Sequence, residues 1–367
     1  MLRTGTIINA RRPISLMNTQ VQHISTFLDQ WAPPSTKLDY DNVGLLVGDP
    51  QQPVSRILTC LDITLDVVDE AIEQHCDLIV AHHPLIFKSI NRISPTNERG
   101  KIIFKLIKND IALIAAHTNL DAALDGVSFV LAKNLGLENL KFLDNSYHIS
   151  RKIVLTTNHS DSHSVLKLLN YYSAKEAHYY KVEGRKQDQH TYEAIMDQHN
   201  VGDLKRELKK NGLLHRGSFQ VMEVASPSNN VGMGVIGFYR DKGLTQQQFL
   251  EVVSGVLNVQ AVRYSGAVER IKKVAVCGGA GSSLTRKAIA EGAQAFITAD
   301  IKYHDYFTDA DNFLLIDVGH YESEVPMVTA LLHELSEAFE HLEILKTEVT
   351  TNPMQVFIPD HNQNQQK

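Results

Sequence analysis

Short apolar runs that each end in metal-ligand residue types constrain this chain more than any other feature. The run at 77–81 leads into His82-His83, and the run at 111–115 leads into Ala116-His-Thr-Asn-Leu-Asp121. The run at 313–318 leads into His320 and Glu324. A run this short, apolar throughout and closed by a polar residue, reads as a strand buried on both faces that delivers the next residue to a sheet edge. In open α/β sheets the carboxyl ends of strands line the ligand crevice, so residues distant in sequence can meet there. Three imidazoles and two carboxylates exceed the roughly four ligands of a structural zinc. They suit two divalent ions about 3.5–4 Å apart with positions left open for water and substrate. A dinuclear metal centre is expected.

The rest of the pattern says what scaffold holds these runs. From about residue 20 to 145, helix and strand signals alternate: helix 21–31 stopped by Pro33-Pro34, strand 55–61, helix 65–75, strand 77–81, helix 100–109, strand 111–115 and helix 126–135. The rhythm returns near residue 265 with strands at 274–277, 295–298 and 313–318 and helices at 283–291 and 325–341. Alternation of this kind implies βαβ units and a parallel sheet. Residues 148–229 differ, being rich in Lys, His, Asn and Gln, with strands expected at 152–156 and 219–224 and helices at 164–172 and 201–210. The expected fold is α/β: a split domain with a mixed, largely parallel sheet, in halves 20–147 and 230–358, interrupted by an inserted α+β module at 148–229. Residues 1–19 carry Arg3, Arg11 and Arg12 and no acid, but neither an amphipathic repeat nor an apolar core. They read as a dispensable or misassigned leader, with Met17 an alternative start. Residues 359–367 are Gln/Asn-rich and expected to be disordered.

Composition narrows the function. A net charge of −6 and a pI near 6.3 give no reason to expect nucleic-acid binding. No apolar stretch approaches the ~18 residues a membrane span needs. Cys60, Cys76 and Cys277 show no CxxC spacing, and two of them sit in apolar runs. Buried free thiols in a reducing, cytoplasmic compartment are expected.

Each motif has a bland reading beside the chemical one. His82-His83-Pro84 can be two ligands diverging from a strand end to different metals, or two polar residues of a surface loop. His320 and Glu324 stand at i and i+4, which shares one helical face and suits one ion. Acids placed for the helix dipole would explain Glu324 but not a histidine at a helix start. Asp121 can bridge two metals or cap the following helix. His117 reads as a neighbouring ligand or as a donor that orients Asp121. In Asp300-Ile-Lys-Tyr-His304, Lys302 suits an anionic group and His304 suits proton transfer, unless the segment is a solvated loop. Asp39-Tyr-Asp-Asn-Val-Gly44 suggests a tight turn without assignable chemistry. Cys277-Gly-Gly-Ala-Gly-Ser-Ser283 resembles an anion cradle but fits neither a dinucleotide fingerprint nor a P-loop, which favours a tight turn. The seven histidines from His148 to His215 have no ligand spacing and are expected at the surface.

Taken in order, Asp41-Asn-Val-Gly-Leu45, Ala81-His-His-Pro84, His117-Thr-Asn-Leu-Asp121, Asp300-Ile-Lys-Tyr-His304 and Gly319-His-Tyr-Glu-Ser-Glu324 resemble the GTP cyclohydrolase 1 type 2 homologue family, also called NGG-interacting-factor-like. The resemblance covers about residues 20–145 and 230–355. It implies that His82, His83, Asp121, His320 and Glu324 are the metal ligands, the same five that strand-end position selects. It further implies a toroidal homohexamer with the metal sites facing an interior cavity, and an inserted module of the PII-like kind.

Two functions follow as expectations. One is a metal-dependent hydrolase acting on a nucleotide-like small molecule, as the family name implies, with His304 or His117 relaying protons and Lys302 holding phosphate. The other is a non-enzymatic metal-handling or regulatory assembly. Mixed imidazole and carboxylate ligands admit Zn, Fe, Mn, Co or Ni.

Overall fold

Strands buried on both faces organise the chain around two sheets. The computed structural model describes residues 18–145, 149–172, 178–181, 189–198, 200–214, 219–227, 230–240 and 242–358. The expected leader, apart from its last two residues, and the expected tail lie outside the described residues.

The first sheet has the order Gly44–Val47, Ala112–Ala115, Leu78–Ala81, Arg56–Cys60, Glu343–Lys346. The last four strands run parallel and the first is antiparallel to its neighbour. Its side chains alternate between two cores, as the period of a strand requires. Leu78 and Val80 face the helices Val21–Trp31 and Pro326–Ala338, whereas Ile79 and Ala81 face Leu65–Glu73 and Glu98–Lys108. Both faces are covered, so the run is apolar without interruption. The two helices on the second of these faces start with side-chain caps: Thr64 accepts from the Val67 amide and Asn97 from the Gly100 amide.

The second sheet has the order Arg263–Gly266, Leu314–Asp317, Ala295–Thr298, Lys273–Val276, Met233–Phe238, Glu138–Asp144. Its three central strands from Leu314–Asp317 to Lys273–Val276 are parallel, and antiparallel strands flank them. The mixed α/β class is as the sequence implied, although the two halves build two sheets rather than one. Strand Glu343–Lys346 was not anticipated, and it returns the C-terminal part of the chain to the first sheet.

The insertion is carried between Glu138–Asp144 and Met233–Phe238, which pair with each other, so the host domain closes across it. Among its described residues, four strands and two helices follow one another as βαββαβ, with strand order 2-3-1-4 and antiparallel pairing throughout. This is the ferredoxin-like arrangement. Val165, Leu169, Leu204 and Leu208 of its helices pack on the sheet. His163 is exposed as expected, but His190 is buried because it lies within a covered strand. His148, His199, His215 and the side chains of His159 and His178 lie outside the described residues.

One contact ties the C-terminal helix to the first. Phe339 is fully buried and meets Phe27 edge to face, with ring centroids 5.6 Å apart. Phe339→Ala is expected to cost about 3–5 kcal/mol through lost burial and the cavity left behind. Urea unfolding measures it, and a loss below about 1 kcal/mol would show that the two helices repack freely.

Candidate metal centre

The carboxyl ends of parallel strands from both sheets supply the side chains of one cluster. Leu78–Ala81 delivers His82 and His83, and Ala112–Ala115 delivers His117 and, through the short helix Thr118–Asp121, Asp121. Leu314–Asp317 leads to the helix His320–Glu324 and both of its terminal residues. His82, His83 and His117 form one group of closely spaced donors, His83, His320 and Glu324 a second, and His82, Asp121 and Glu324 a third, each with donor atoms within 4.8 Å of one another.

Every imidazole of the cluster is aimed by its Nδ1 atom. His82 Nδ1 lies 2.8 Å from the Ala116 carbonyl, and His83 Nδ1 lies 2.7 Å from Asp62 Oδ1. His117 Nδ1 lies 2.9 Å from Asp41 Oδ1, and His320 Nδ1 lies 2.7 Å from Asp300 Oδ2. Carbonyl and carboxylate oxygens only accept, so each Nδ1 carries the proton and donates it. The Nε2 atoms are thereby left free to act as metal ligands, the arrangement that fixes tautomer and orientation in histidine metal sites.

The orienting carboxylates are themselves held. Asp41 is buried and accepts from the backbone N–H and the hydroxyl of Thr118. Asp62 accepts from Thr351 Oγ1 at 2.6 Å. Asp300 adopts a left-handed backbone at φ +54, a conformation that Asp tolerates better than most residues.

Glu324 is the hub. Its Oε2 lies 3.0 Å from His83 Nε2, 3.1 Å from His320 Nε2 and 3.9 Å from His82 Nε2. These short approaches are not aligned as hydrogen bonds. Glu324 Oε2, His82 Nε2 and Asp121 Oδ1 are all buried without a hydrogen-bond partner among the described residues. Orphaned buried polar atoms are costly and rare. Three of them converging on one point, as a mixed nitrogen and oxygen donor set, fit divalent cations.

The electrostatics say the same. Burial works against the charged form of His83, yet Asp62 and Glu324 together raise its pKa to about 10. His320 is raised to about 9, first by Glu324 and then by Asp300, against burial. His82 is lowered to about 3 because burial penalises its charged ring. Burial pushes the Glu324 carboxyl upward, but the imidazoles of His320, His83 and His82 hold it well below its usual range. Asp121 is raised by burial and by the charge of Glu324. The centre attracts positive charge, which protons on His83 and His320 supply when no metal does.

Glycine gives this cluster its room. Gly279 has φ +60, and a Cβ there would stand 2.2 Å from Glu324 Oε1 and 3.4 Å from His320 Cε1. Its amide donates to Ser323 Oγ, and the Gly281 amide donates to Thr298 Oγ1. Those two amides are occupied within the protein, so the 277–283 segment acts as the tight turn that the sequence favoured. Gly279→Ala is expected to displace Glu324 and empty the centre while the rest of the chain stays folded. Unchanged metal content in that variant would show that the Glu324 carboxylate has room to move.

The structure brings together His82, His83, Asp121, His320 and Glu324, and adds His117 as a donor. His82 and His83 both approach Glu324, and each also belongs to a donor group without the other. Asp121 ends its own short helix and does not cap the next, whose N-cap is Gly126. His117 is held by Asp41, with no hydrogen bond to Asp121 among the described residues. His304 is not brought to the cluster. It lies in the turn Tyr303–Tyr306, packs on Tyr303, and lines a different cavity with Ser282 and Asp305. Lys302 precedes that turn and is exposed. The sequence pointed to the segments holding Asp41 and Asp300 without giving either acid its ring-orienting role, and Asp62 was missed altogether. The signal for two of them was present, since Asp62 and Asp300 each stand two residues beyond a parallel strand, Arg56–Cys60 and Ala295–Thr298.

Known proteins share this architecture and its sequence. In Staphylococcus aureus strain MSSA476, a protein named GTP cyclohydrolase 1 type 2 homolog is 32% identical over 367 residues, an alignment spanning 92% of this chain and 99% of that one. A protein of the same name from Staphylococcus epidermidis strain RP62A is 34% identical, spanning 91% of this chain and 99% of its own. The crystal structure of a Bacillus cereus protein related to NIF3 superposes with a TM-score of 0.74 at 29% identity, covering 93% of this chain and 99% of that one. The family profile described as Duf34/NIF3 (NGG1p interacting factor 3) matches residues 19–353, nearly the whole described chain, and this protein therefore belongs to the Duf34/NIF3 family.

Proposed function

We propose that the chain holds two divalent ions and uses them for hydrolysis of a nucleotide-like small molecule. The observation that carries this reading is Glu324, one buried carboxylate common to two donor groups, with a partnerless oxygen between them. One position would take His83, His320 and Glu324, and the other His82, Asp121 and Glu324, with His117 beside the second. When bound, such ions supply Lewis acidity toward a substrate oxygen and activate water near neutral pH.

The chain's own residues supply the rest. Asp41, Asp62 and Asp300 hold three rings in place and keep their Nε2 lone pairs pointed inward. The fully buried His82 and nearly buried Glu324 close one side of the centre, whereas the His320 side chain, 39% exposed, leaves the other open to a ligand. The nucleotide-like substrate class is supported by the name that the staphylococcal relatives carry. The toroidal homohexamer implied by the sequence resemblance is part of the proposal, and light scattering reads it as mass.

A second reading, non-enzymatic metal handling, is favoured by one observation. His304, one of the two residues expected to move protons, lines another cavity, and only His117 remains beside the cluster.

Elemental analysis of the purified chain, with hydrolysis of GTP and a nucleotide panel on the same sample, separates the two. Close to two ions per chain with turnover supports the hydrolase. Two exchangeable ions and no turnover supports metal handling. One ion or none overturns the dinuclear centre.

A further inference from the structure

From His82 to Asn97 the chain carries no acidic residue, yet it holds Lys88 and Arg92, and Arg99 follows in the first turn of the helix Glu98–Lys108. The whole chain has a net charge of −6. A cationic stretch beside a cation-binding centre therefore needs a reason, because like charges there oppose metal binding. Loops this long without secondary structure of their own are commonly functional.

This stretch walls a cavity of about 690 Å³. Asp62 and His83 of the metal centre are in its wall, as are Ser89, Arg92 and Arg99. Its apolar lining comes from Ile63, Leu85, Ile90 and Ile102. Neither guanidinium makes an ion pair or hydrogen bond among the described residues. Of the two carboxylates in the wall, Asp62 is committed to His83 and Thr351, and Glu98 is exposed. The volume falls within the roughly 300–1,000 Å³ of small-molecule sites. Lys302, the sequence-based candidate for an anion, does not line it.

We propose that this cavity is a ligand site in which Arg92 and Arg99 clamp a phosphate-type anion, while the apolar lining takes the body of a molecule of mononucleotide size. Two unpaired guanidiniums match the planar, bidentate geometry of phosphate oxygens. The position of the ligand's reacting end, at His83, rests on the metal-centre reading. The anion clamp does not.

The test is calorimetric titration of GMP and of inorganic phosphate into the full chain, metal-loaded and metal-stripped, for wild type, Arg92→Gln, Arg99→Gln and Arg99→Lys. Metal content and melting temperature are recorded on each sample. Each Gln variant is expected to bind GMP about 10–100-fold more weakly with unchanged metal content, and Arg99→Lys to fall between. Inorganic phosphate is expected to bind more weakly than GMP because it leaves the apolar lining empty. Equal GMP affinity in wild type and Gln variants, or no GMP binding by folded wild type, overturns the proposal. Equal affinity for phosphate and GMP overturns the mononucleotide size. Should the wild type prove to hold no metal, the proposed function fails, and the metal-stripped series still decides the anion clamp.

Discussion

Glu324→Ala is expected to release both ions together, with metal affinity falling by more than about 100-fold. Outer partners that merely orient a ligand are typically worth about 10–100-fold, and Glu324 is a donor shared by two groups. The fold is expected to survive. Glu324 is buried against three imidazoles, and its loss removes the attraction that draws protons to His83 and His320. Both rings should then titrate nearer their ordinary range. Elemental analysis gives the metal content, circular dichroism the fold, and NMR titration of the imidazole resonances the protonation. Loss of only one ion would mean that Glu324 serves one position and that Asp121 does the bridging, as the sequence alone suggested.

The contrast between Glu324 and Asp62 shows what the sequence makes legible. Strands such as Leu78–Ala81 announce themselves because both faces are covered, which leaves a pure apolar run with a polar residue at its end. The five candidate ligands followed from that rule alone. Applied to Arg56–Cys60, the same rule would have found Asp62; applied to Ala295–Thr298 it placed the segment from Asp300 to His304 at this edge but favoured Lys302 and His304, because an acid after a strand has many uses. Only the 2.7 Å contacts to His83 and His320 reveal the roles taken here. Asp41 had no such cue, since it follows no strand and meets His117 across 76 positions of sequence.

Other features were hidden for different reasons. Glu343–Lys346 is an edge strand with charged ends and only two apolar residues, so it gives little strand signal of its own. Its place in the first sheet depends on a long-range pairing with Arg56–Cys60. His304 looked equivalent to His320 because both lie just past a strand of the same sheet. The left-handed Asp300 and the turn after it lead His304 to another cavity, whereas the positive φ of Gly319 starts the helix that points His320 at Glu324. The glycines of 277–283 could be read only as a turn, because their purpose, closeness to Glu324, is a tertiary contact.

Metal affinity is expected to rise steeply with pH, and the stability of the metal-free chain to change in the opposite sense above neutrality. In the metal-free chain His83 is raised to about 10 and His320 to about 9. Groups with raised pKa values stabilise the folded state fully below their ordinary value of 6.5, and that stabilisation is lost as pH rises through 9 to 10. Glu324, held below its ordinary 4.5, contributes above that value and loses its contribution in acid. The metal-free chain should therefore be most stable between about pH 5 and 6.5, where both contributions are present. Metal must displace the protons on His83 and His320, so each ion-bound ring releases one. Affinity should then climb by up to about 100-fold per pH unit up to about pH 9, where two protons are released, by up to about tenfold per unit between 9 and 10, where only His83 still releases one, and level off above that. Competition with a chelator of known pH dependence gives the slope, and calorimetry in buffers of different ionisation enthalpy gives the proton count. A slope of zero would show that neither ring carries a proton in the metal-free chain, and that three orphaned atoms face one another without charge compensation.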